Sequence, residues 1–453
     1  MSASVDLLVR GGSIVTGSGV SRADIAVAEG RIVRIAPRID MEAREFVDAA
    51  GHYVMAGIID SHVHFNEPGR TEWEGIATGS SALAAGGGTA FFDMPLNSIP
   101  PSTTAANVAL KRAAAERSSR TDFGIWGGLI PGNSDHFEGM REAGVIGLKA
   151  FMCGSGVEEF PLSDPGALRI GMKRAASLGM MVAVHAEDEQ MALRLAAEAH
   201  KRGSDVRTWL TSRPVSLELA AIRTATEIAG ETGCALHIVH VSSPEGVDAA
   251  IEARRKGVNV SIETCPHYLL LTDEDVVRIG APAKCFPPLR NEGLRQGLWA
   301  ALDEGKVDTI GSDHSPAPPE MKRSKDFFEV WGGISGCQHA FMLLLSEALA
   351  RSHADVALPR LTRVLSENVA RRYGVDKRKG RLAEGLDADI TILSVGQPRE
   401  LRNDQLLYRH RQGPYDGRIS GVSVVRTIVR GATVFSKGRI APGAPGGHLV
   451  RPA

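Results

Sequence analysis

The central part of this chain of 453 residues alternates between short apolar strands and helices, and that alternation limits the folds it can adopt. The predicted strands are rich in β-branched and other apolar residues, and helical patterns such as ANVALKRAAAERS lie between many of them. Eight such units over about 250–300 residues are the size of a (β/α)8 barrel. The eight predicted strands cover residues 57–63, 88–94, 123–129, 144–151, 180–186, 234–241, 258–264 and 307–313.

An open, doubly wound sheet is the alternative arrangement of such units, but no GxGxxG motif follows an early strand. The two ends of the chain have a different texture, with short runs of β-forming residues that are broken by glycine or proline. We therefore predict a (β/α)8 TIM barrel at residues 56–372, inserted into a small β-sandwich domain formed by residues 1–55 and residues 373–453.

Glycine is unusually frequent, with 50 residues in the chain against a typical share of about 7%. We expect Gly11 and Gly12 to end the first strand. We expect Gly86–Gly88, Gly154 and Gly332–Gly333 to let the backbone approach a ligand closely. The glycine-rich segment 443–447 is predicted to be a flexible tail.

The charge balance and the cysteine content exclude several classes of protein. The 52 basic and 53 acidic residues leave a net charge of −1, so no overall field would attract nucleic acid or an anionic membrane. No apolar run is long enough to span a bilayer, and the first residues lack the features of a secretory signal. Five widely spaced cysteines indicate neither a disulfide framework nor a CxxC zinc site. We expect a cytoplasmic protein with a small-molecule substrate and with no nucleic-acid or membrane partner.

Polar residues at the carboxyl ends of the predicted strands are the first candidates for a site, because barrels place their chemistry there. His62 and His64 follow the apolar run GIID, and side chains two positions apart on an extended chain point to the same side. Two imidazoles so placed can bind one metal ion, although an HxH pattern alone also fits a pair of surface histidines. His185, His240 and Asp313 end the fifth, sixth and eighth predicted strands.

Lys149 lies inside the apolar fourth strand. Parallel strands are mostly buried on both faces, and burial favours the neutral amine. If the stem reaches solvent or the ammonium pairs with a carboxylate, the residue is structural. The other interpretation is that the neutral amine reacts with carbon dioxide to give a carbamate, N6-carboxylysine, whose two oxygens can bridge two cations. The histidines at the neighbouring strand ends favour the carbamate.

Several longer motifs surround these residues and together form a specific pattern. They are DSHVH (60–64), GLKAF (147–151), VHAE (184–187), HVSSPEG (240–246), ETCPHY (263–268) and GSDHSP (311–316), with NEPGRTEWEG (66–75), FFDMPLNSIPP (91–101), AKCFPPLR (283–290), SDHSPAPPEMK (312–322) and WGGISG (331–336) in support. The set resembles the cyclic amidohydrolases of the amidohydrolase superfamily, and within them the allantoinase family. The similarity covers nearly the whole chain, including the terminal β segments.

The resemblance implies a (β/α)8 barrel with a binuclear metal centre. One metal ion would be held by a pair of histidines and an aspartate, the other by two histidines, and the carboxylated lysine would bridge them. Zinc suits imidazole and carboxylate ligands, and the same set accepts Co, Mn, Ni or Fe(II). The implied ligands are His62, His64 and Asp313 for the first metal, His185 and His240 for the second, and Lys149 for the bridge.

Three positions separate the members of this group. Dihydroorotases usually carry an arginine where this chain has Asn66, and an asparagine where it has Leu96, directly after Met-Pro. Dihydropyrimidinases and hydantoinases usually carry a tyrosine five residues after the bridging lysine, where this chain has Gly154. A pocket without the arginine and without the tyrosine is compatible with allantoin, a neutral hydantoin ring that bears a ureido arm.

The resemblance also implies how the residues act. Water activated by the two metals would attack the ring amide, and Asp313 would carry its proton to the departing nitrogen, giving allantoate. Asn97 and Ser315 would contact the substrate, and the backbone around Cys285 and Gly332–Gly333 would hydrogen-bond to the ring.

Four alternatives remain open. They are a hydantoinase or dihydropyrimidinase with the same site, a dihydroorotase, a non-catalytic scaffold such as the collapsin response mediator proteins, and a mononuclear deaminase, which would not need Lys149. Scaffold relatives have lost metal ligands that this chain keeps. Because relatives are usually tetramers, a homotetramer is implied.

Overall fold

The computed structural model describes residues 4–444 and 446–453 of the chain. Two parallel sheets and their connecting helices form the larger part, and strands from both ends of the chain form a third sheet. No helix in the described ranges combines the length and the apolar character required to cross a membrane.

The strands are numbered in chain order. They are β1 (Val5–Thr16), β2 (Gly19–Ala28), β3 (Arg31–Ala36), β4 (Ala43–Asp48), β5 (Tyr53–Ala56), β6 (Ile58–Val63), β7 (Gly88–Asp93), β8 (Asp122–Ile125), β9 (Gly127–Gly128), β10 (Leu148–Phe151), β11 (Val182–His185), β12 (Leu236–Ile238), β13 (Val260–Thr264), β14 (Thr309–Ile310), β15 (Ile390–Glu400), β16 (Ile419–Val429), β17 (Ala432–Ser436) and β18 (Arg439–Ile440).

The helices connect the parallel strands, and several begin at a side chain that accepts a hydrogen bond from the first turn, such as Thr104, Asp164 and Ser243. They are α1 (Ile76–Ala85), α2 (Ala105–Ser118), α3 (Phe137–Glu142), α4 (Pro165–Ser177), α5 (Glu189–His200), α6 (Val206–Thr211), α7 (Val215–Thr232), α8 (Pro244–Arg255), α9 (Pro266–Leu270), α10 (Asp273–Ile279), α11 (Glu292–Asp303), α12 (Ala340–Arg351), α13 (Ala354–Thr362) and α14 (Asn368–Arg372).

The predicted pairing between the two ends of the chain is confirmed. The strands of the two ends form one nine-stranded sheet. Eight strands follow the order β18-β17-β16-β15-β5-β1-β2-β3, and the ninth, β4, pairs with the first half of β1. β5 lies between the two ends, parallel to β1 and antiparallel to β15. Apolar side chains from both ends, among them Ile14, Val54 and Ile390, share one buried cluster. Burial of this cluster holds the terminal segments together.

β1 continues beyond Gly11 and Gly12, where the sequence predicted its end. Gly11 has a φ of 70°, and the pairing with β2 shifts register between Val9 and Gly12. An extra residue at positive φ bends a strand and increases its twist without ending it. The two glycines therefore form a β-bulge inside one long strand.

All eight predicted barrel strands are present and parallel. One sheet contains β6, β7 and β8, and the other contains β9 to β14 in sequence order. Residues of these strands are almost entirely buried, as expected for parallel strands that are covered on both faces. The third predicted strand, 123–129, corresponds to β8 and β9 together.

Two links join the parallel sheets. Trp126 separates β8 from β9. Its backbone N–H still donates to the end of β7, whereas the backbone N–H of Gly127 donates to the segment before β10. At the opposite edges, Val63 forms a parallel bridge with His314, and the N–H of His64 donates to the carbonyl of His314 at 2.8 Å. The carboxyl ends of β6 and β14, the first and last parallel strands, are thereby neighbours.

The glycine-rich end of the chain lies against β8, so the prediction of a flexible tail is wrong for its described residues. The N–H of Phe123 donates to the carbonyl of His448 at 3.0 Å, and the N–H of Val450 donates to the carbonyl of Phe123 at 2.7 Å. A side chain at Gly447 would overlap the backbone before β8. Pro445 lies outside the described residues.

Gly86–Gly88 connect α1 to β7 at the amino end of that strand, so the expectation that they approach a ligand is wrong. A Cβ on Gly86 would overlap the carbonyl of Cys337, and one on Gly88 would overlap Leu83. Close packing between helix and strand accounts for these glycines.

Candidate metal centre

The carboxyl ends of the parallel strands surround a cavity of about 70 Å³. Side chains from different strand ends converge there, as the barrel prediction requires. The predicted site residues that line it are His62, His64, Asn97, His185, His240, Cys285, Asp313, Ser315 and Gly332.

His62, His64 and Asp313 form the first group in this cavity. Asp313 Oδ1 lies 3.3 Å from His62 Nε2 and 3.4 Å from His64 Nε2. One donor atom from each residue lies within 4.8 Å of the other two, which is close enough for all three to bind one ion. The HxH pattern at the end of β6 therefore presents both imidazoles to the same carboxylate.

The protonation states in this group suit metal binding. Burial lowers the pKa of His64, which favours the neutral imidazole. Burial alone would raise the pKa of Asp313, but the charge of His62 and the hydrogen bond from His64 outweigh it and lower the pKa to about 2. At neutral pH the site therefore offers the ionised carboxylate of Asp313 beside the neutral imidazole of His64.

Glu263, on β13, orients His62 and is fully buried. Its Oε1 lies 2.9 Å from His62 Nδ1, and its Oε2 accepts a hydrogen bond of 2.5 Å from Ser61 Oγ. His237 Nε2 lies 3.4 Å from the same Oε2. A histidine that donates through one ring nitrogen to a carboxylate presents the lone pair of the other, and this arrangement is common around metal ligands.

His185 and His240 form the second group. His185 Nδ1 lies 2.9 Å from His240 Nε2, and His185 Nε2 lies 2.9 Å from Glu187 Oε2. Arg213 donates to the same Glu187 oxygen at 2.8 Å. Burial lowers the pKa of both histidines. Glu187 thus holds His185 with Nδ1 directed at His240, as Glu263 holds His62.

Lys149 is fully buried on β10, and its Nζ has no hydrogen-bond partner among the described residues. Burial lowers its pKa to about 7, against the opposing effect of Asp313 and Glu263. The same amine acts electrostatically on His185 and His240, and Asp313 acts on it, so it is close to both groups of ligands. Its surroundings favour the neutral amine that carbamate formation requires.

The donor set fits two divalent metal ions. Imidazole nitrogens and carboxylate oxygens are ligands that first-row divalent metals accept. Lys149 Nζ and His240 Nδ1 are buried without a hydrogen-bond partner in the described structure. Buried polar atoms without partners are uncommon, and an ion is one of the groups that can satisfy them. Both unpartnered atoms belong to residues of the set of six that the family resemblance implies.

The predicted substrate contacts surround the metal ligands. Asn97 Nδ2 lies 3.4 Å from His64 Nδ1, and Asn97 Oδ1 is buried without a partner in the described residues. Cys285 Sγ lies 3.2 Å from the carbonyl of Pro287. Ser315 is 8% exposed and lines the cavity with Gly332. A Cβ on Gly332 would overlap Phe286, so only glycine fits there.

A larger cavity of about 340 Å³ adjoins this site. The two cavities share lining residues that include Phe151, His185 and Trp331. Gly154 lines the larger cavity, and a Cβ there would meet only Glu189, at 3.9 Å. The missing side chain at this position therefore leaves open space next to the metal ligands.

Cys153 lies close enough to His185 and Glu187 for the three to share an ion, but neither the cysteines nor the remaining histidines belong to the predicted ligand set. Burial raises the pKa of Cys153 and Cys265, so both thiols are protonated and neither is a prepared nucleophile. His314, which follows Asp313 directly, accepts a hydrogen bond of 3.0 Å from the N–H of Gly336. His237 Nδ1 lies 2.7 Å from Ser261 Oγ, so this histidine has a structural role.

A further acidic cluster already contains a cationic side chain. Asp122, Asp387 and Asp389 could together hold a metal ion, but the ammonium of Lys379 lies among them at 2.6, 3.1 and 2.6 Å. This cluster joins β8 to the terminal sheet.

The residues that sequence reasoning missed are the carboxylates behind the ligands. Glu263 and Glu187 are both buried and both contact a predicted metal ligand. Glu263 lies within the apolar run VSIET, so a charged residue in a predicted buried strand was the available signal. Glu187 follows His185 by two positions, which places both on one side of an extended segment.

Known proteins resemble the chain over its whole length. The sequence model of the amidohydrolase family matches residues 53–434. An allantoinase of Solibacter usitatus is 48% identical, covering 99% of this chain and 97% of that protein, and an allantoinase of Rubrobacter xylanophilus is 49% identical, covering 99% and 98%.

Solved structures show the same architecture. L-hydantoinase (dihydropyrimidinase) from Arthrobacter aurescens superposes with a TM-score of 0.95 at 32% identity, covering 99% of this chain and 100% of that one. D-hydantoinase from Thermus sp. superposes with a TM-score of 0.90 at 26% identity, covering 98% of each chain. From the sequence matches and the converging ligands together, the chain belongs to the amidohydrolase family and, within it, groups with the allantoinases.

Proposed function

We propose that the protein is a metal-dependent hydrolase that opens the hydantoin ring of allantoin at its amide bond and releases allantoate. The observation that carries the hydrolytic part is the unpartnered, buried amine of Lys149 among two histidines and an aspartate. The choice of allantoin is supported by allantoinases of 48% and 49% identity over 99% of the chain.

The proposal includes a closed (β/α)8 barrel. The stretch through Trp126 joins the two parallel sheets at one side, and the bridge between Val63 and His314 joins them at the other. Eight strands linked in this way form a ring whose carboxyl ends meet around the ligands. The proposal also keeps a β-sandwich formed by residues 1–55 and 373–453, and the single terminal sheet, which contains strands from both ends of the chain, supports a shared domain.

The arrangement of side chains supports a hydrolytic mechanism. Two divalent cations held by the six ligands would lower the pKa of water and polarise an amide carbonyl. Asp313, ionised at neutral pH, accepts a proton from the attacking water and returns it to the departing ring nitrogen. Glu263 and Glu187 keep His62 and His185 in their binding orientations.

The cavities favour a neutral substrate with an extended arm. Within the described residues that line them, Arg213 is the only arginine or lysine, and its guanidinium donates to Glu187. Asn66, at the position of the dihydroorotase arginine, instead directs its amide towards the carbonyl of Pro316 at 3.4 Å. The open space beside Gly154 would receive the ureido arm while the ring lies at the metal ligands.

A substrate panel on metal-loaded enzyme tests the assignment. Allantoin, hydantoin, dihydrouracil and dihydroorotate are supplied separately, and kcat/KM is measured for each. We expect the highest value for allantoin. A higher value for hydantoin or dihydrouracil would make the protein a hydantoinase or dihydropyrimidinase, the second candidate that its structural relatives favour.

Zinc is the proposed metal, with Co, Mn, Ni or Fe(II) as chemically acceptable alternatives. The carbamate on Lys149, the homotetramer and the cytoplasmic location stay predictions. Elemental analysis of the purified protein tests the assignment of zinc. The mass of the protein in solution tests the homotetramer.

A further inference from the structure

Residues 327–333 form one wall of both cavities. Phe328 to Gly332 line the larger cavity, and Trp331 to Gly333 line the one at the metal ligands. Within the described structure it contains neither a helix nor a regular strand. Its peptide groups therefore need partners other than a helix or sheet ladder. We refer to residues 327–333 as the wall segment.

Lys284 holds one end of the wall segment. Its side chain is fully buried, and Nζ donates to the carbonyls of Phe327, Phe328 and Val330 at 2.6, 3.3 and 2.6 Å. The backbone carbonyl of Lys284 also accepts a hydrogen bond of 2.8 Å from the N–H of Gly333. An ammonium has three donors and no acceptor, so this side chain is fully used by three carbonyls.

Lys322 holds the other end in the same way. Its Nζ donates to the carbonyls of Ala281, Trp331 and Gly333 at 3.3, 2.9 and 2.7 Å. In the described part of the chain, no carboxylate forms an ion pair with Lys322 or with Lys284. Burying a cation without an anion is costly, and burial lowers the pKa of both lysines to about 7. A contribution to the stability of the fold is therefore a weak explanation for the presence of Lys284 and Lys322 beside the wall segment.

In the described structure, Gly332 is the residue of the wall segment whose N–H and carbonyl are both without a hydrogen bond. The N–H groups of Trp331 and Gly333 donate to Met321 and Lys284, and both carbonyls accept from Lys322. Gly332, between them, makes no hydrogen bond through its N–H or carbonyl within the described residues, and it lines both cavities. A ring amide carries one donor and one acceptor that match this pair of groups.

We propose that Lys284 and Lys322 are positioning residues that fix the wall segment so that the free peptide groups of Gly332 face the substrate ring. This inference rests on the proposed function, because the ring it positions is the substrate of that reaction. The lysines contact neither the metal ligands nor the reacting atoms. Their loss should therefore weaken substrate binding and leave metal binding intact.

Lys322→Met tests the inference, with Lys325→Met as the matched control. Lys325 is exposed and lies three residues along the same loop. Both proteins are compared with wild type on whichever panel substrate the wild type hydrolyses fastest. We expect Lys322→Met to raise KM by about tenfold or more, with a smaller change in kcat, two metals per chain as in wild type, and an unchanged control. Lys322→Arg, which keeps a charged donor, should recover part of the loss.

Lys284→Met is the independent second variant, with the same expected split between KM and kcat. A folded variant with KM within twofold of the control, or one that loses metal along with activity, would overturn the inference. Failure of both variants to fold would also overturn it, because the lysines would then be structural. If the wild type prefers a substrate other than allantoin, the proposed function is contradicted. The inference about the lysines can still be tested, because the KM values are compared on the substrate that the wild type prefers.

Discussion

Glu263 Oε1 lies 2.9 Å from His62 Nδ1, and both side chains are buried. The hydrogen bond fixes the tautomer of His62, so that Nε2 presents its lone pair towards Asp313 at 3.3 Å. The second oxygen of Glu263 is held by Ser61. One strand of the barrel thus sets the orientation of a ligand on another strand.

Replacement of Glu263 by glutamine should weaken the metal centre. The amide is uncharged and supports the imidazole less strongly, and loss of such a partner typically reduces metal affinity by about 10–100-fold. Titration of stripped protein with zinc and a competing chelator measures the change. Glu252→Gln on the exposed face of α8 serves as the control, and equal affinities in the two variants would contradict the role of Glu263.

Replacement of Lys149 by alanine should remove both bound metal and activity. Without the amine, no carbamate can form to bridge the two groups of ligands. The space that the side chain leaves is expected to admit short carboxylic acids, such as acetate or propionate, and to restore part of the metal content and turnover. Full activity of Lys149→Ala without added acid would exclude the bridge.

Reactivation of the stripped enzyme should depend on pH through Lys149. Burial lowers the pKa of this amine to about 7, so the ammonium predominates below that pH and the neutral amine above it. Only the neutral amine reacts with carbon dioxide. At constant dissolved carbon dioxide and excess metal, the reactivation rate should rise as the pH increases from about 6 to about 8. A rate that falls over this interval would contradict the carbamate.

Replacement of Asp313 by asparagine should leave a folded protein with little turnover. Asparagine has nearly the same shape but cannot accept the proton of the attacking water, and loss of a general base typically costs about 10²–10⁴-fold in rate. Circular dichroism checks the fold, and metal content is measured beside kcat. If kcat stays near that of wild type, Asp313 is not the proton shuttle.

Replacement of Gly154 by tyrosine should change substrate preference. The position faces the larger cavity and has room for a side chain. A ring there would occupy the space proposed for the ureido arm, so kcat/KM should fall for allantoin and change much less for dihydrouracil. Gly154→Ala, whose added methyl meets only Glu189 at 3.9 Å, is the control and should behave as wild type.

The positions of the parallel strands could be predicted because each is an apolar run, and several carry a polar residue near the carboxyl end. The same pattern gave Lys149 and His185, which lie on strands that the structure contains. His240 and Asp313 lie beyond their strands and have φ values of 42° and 45°. Side chains do not alternate strictly between two faces at residues with such backbone angles. His240 and Asp313 therefore reach the cavity because their strands end beside it, and the alternation could not have predicted the direction of their side chains.

Features that depend on distant parts of the chain could not be predicted in the same way. Glu263 and His62 meet although they are 201 residues apart in the chain, and a single sequence gives no sign of that pairing beyond a buried charge. Gly11 carries a bulge only because β2 lies beside it, and Gly447 is confined only because β8 lies beside it. The local glycine content predicted the end of a strand at Gly11 and a flexible tail at Gly447. In the structure, pairing with β2 extends the strand, and contact with β8 anchors the tail.

The pairing of β5 with β15 has a consequence for how the polypeptide is made. Met55 lies opposite Thr391, so the chain enters and leaves the large parallel core through adjacent strands. During synthesis the terminal sheet cannot be completed until the strands that begin at Ile390 have left the ribosome. Contacts between residues so far apart in sequence are slow to form. Until then, the apolar faces of β1 and β2 stay without their final covering, and this nascent chain is a natural client for chaperones.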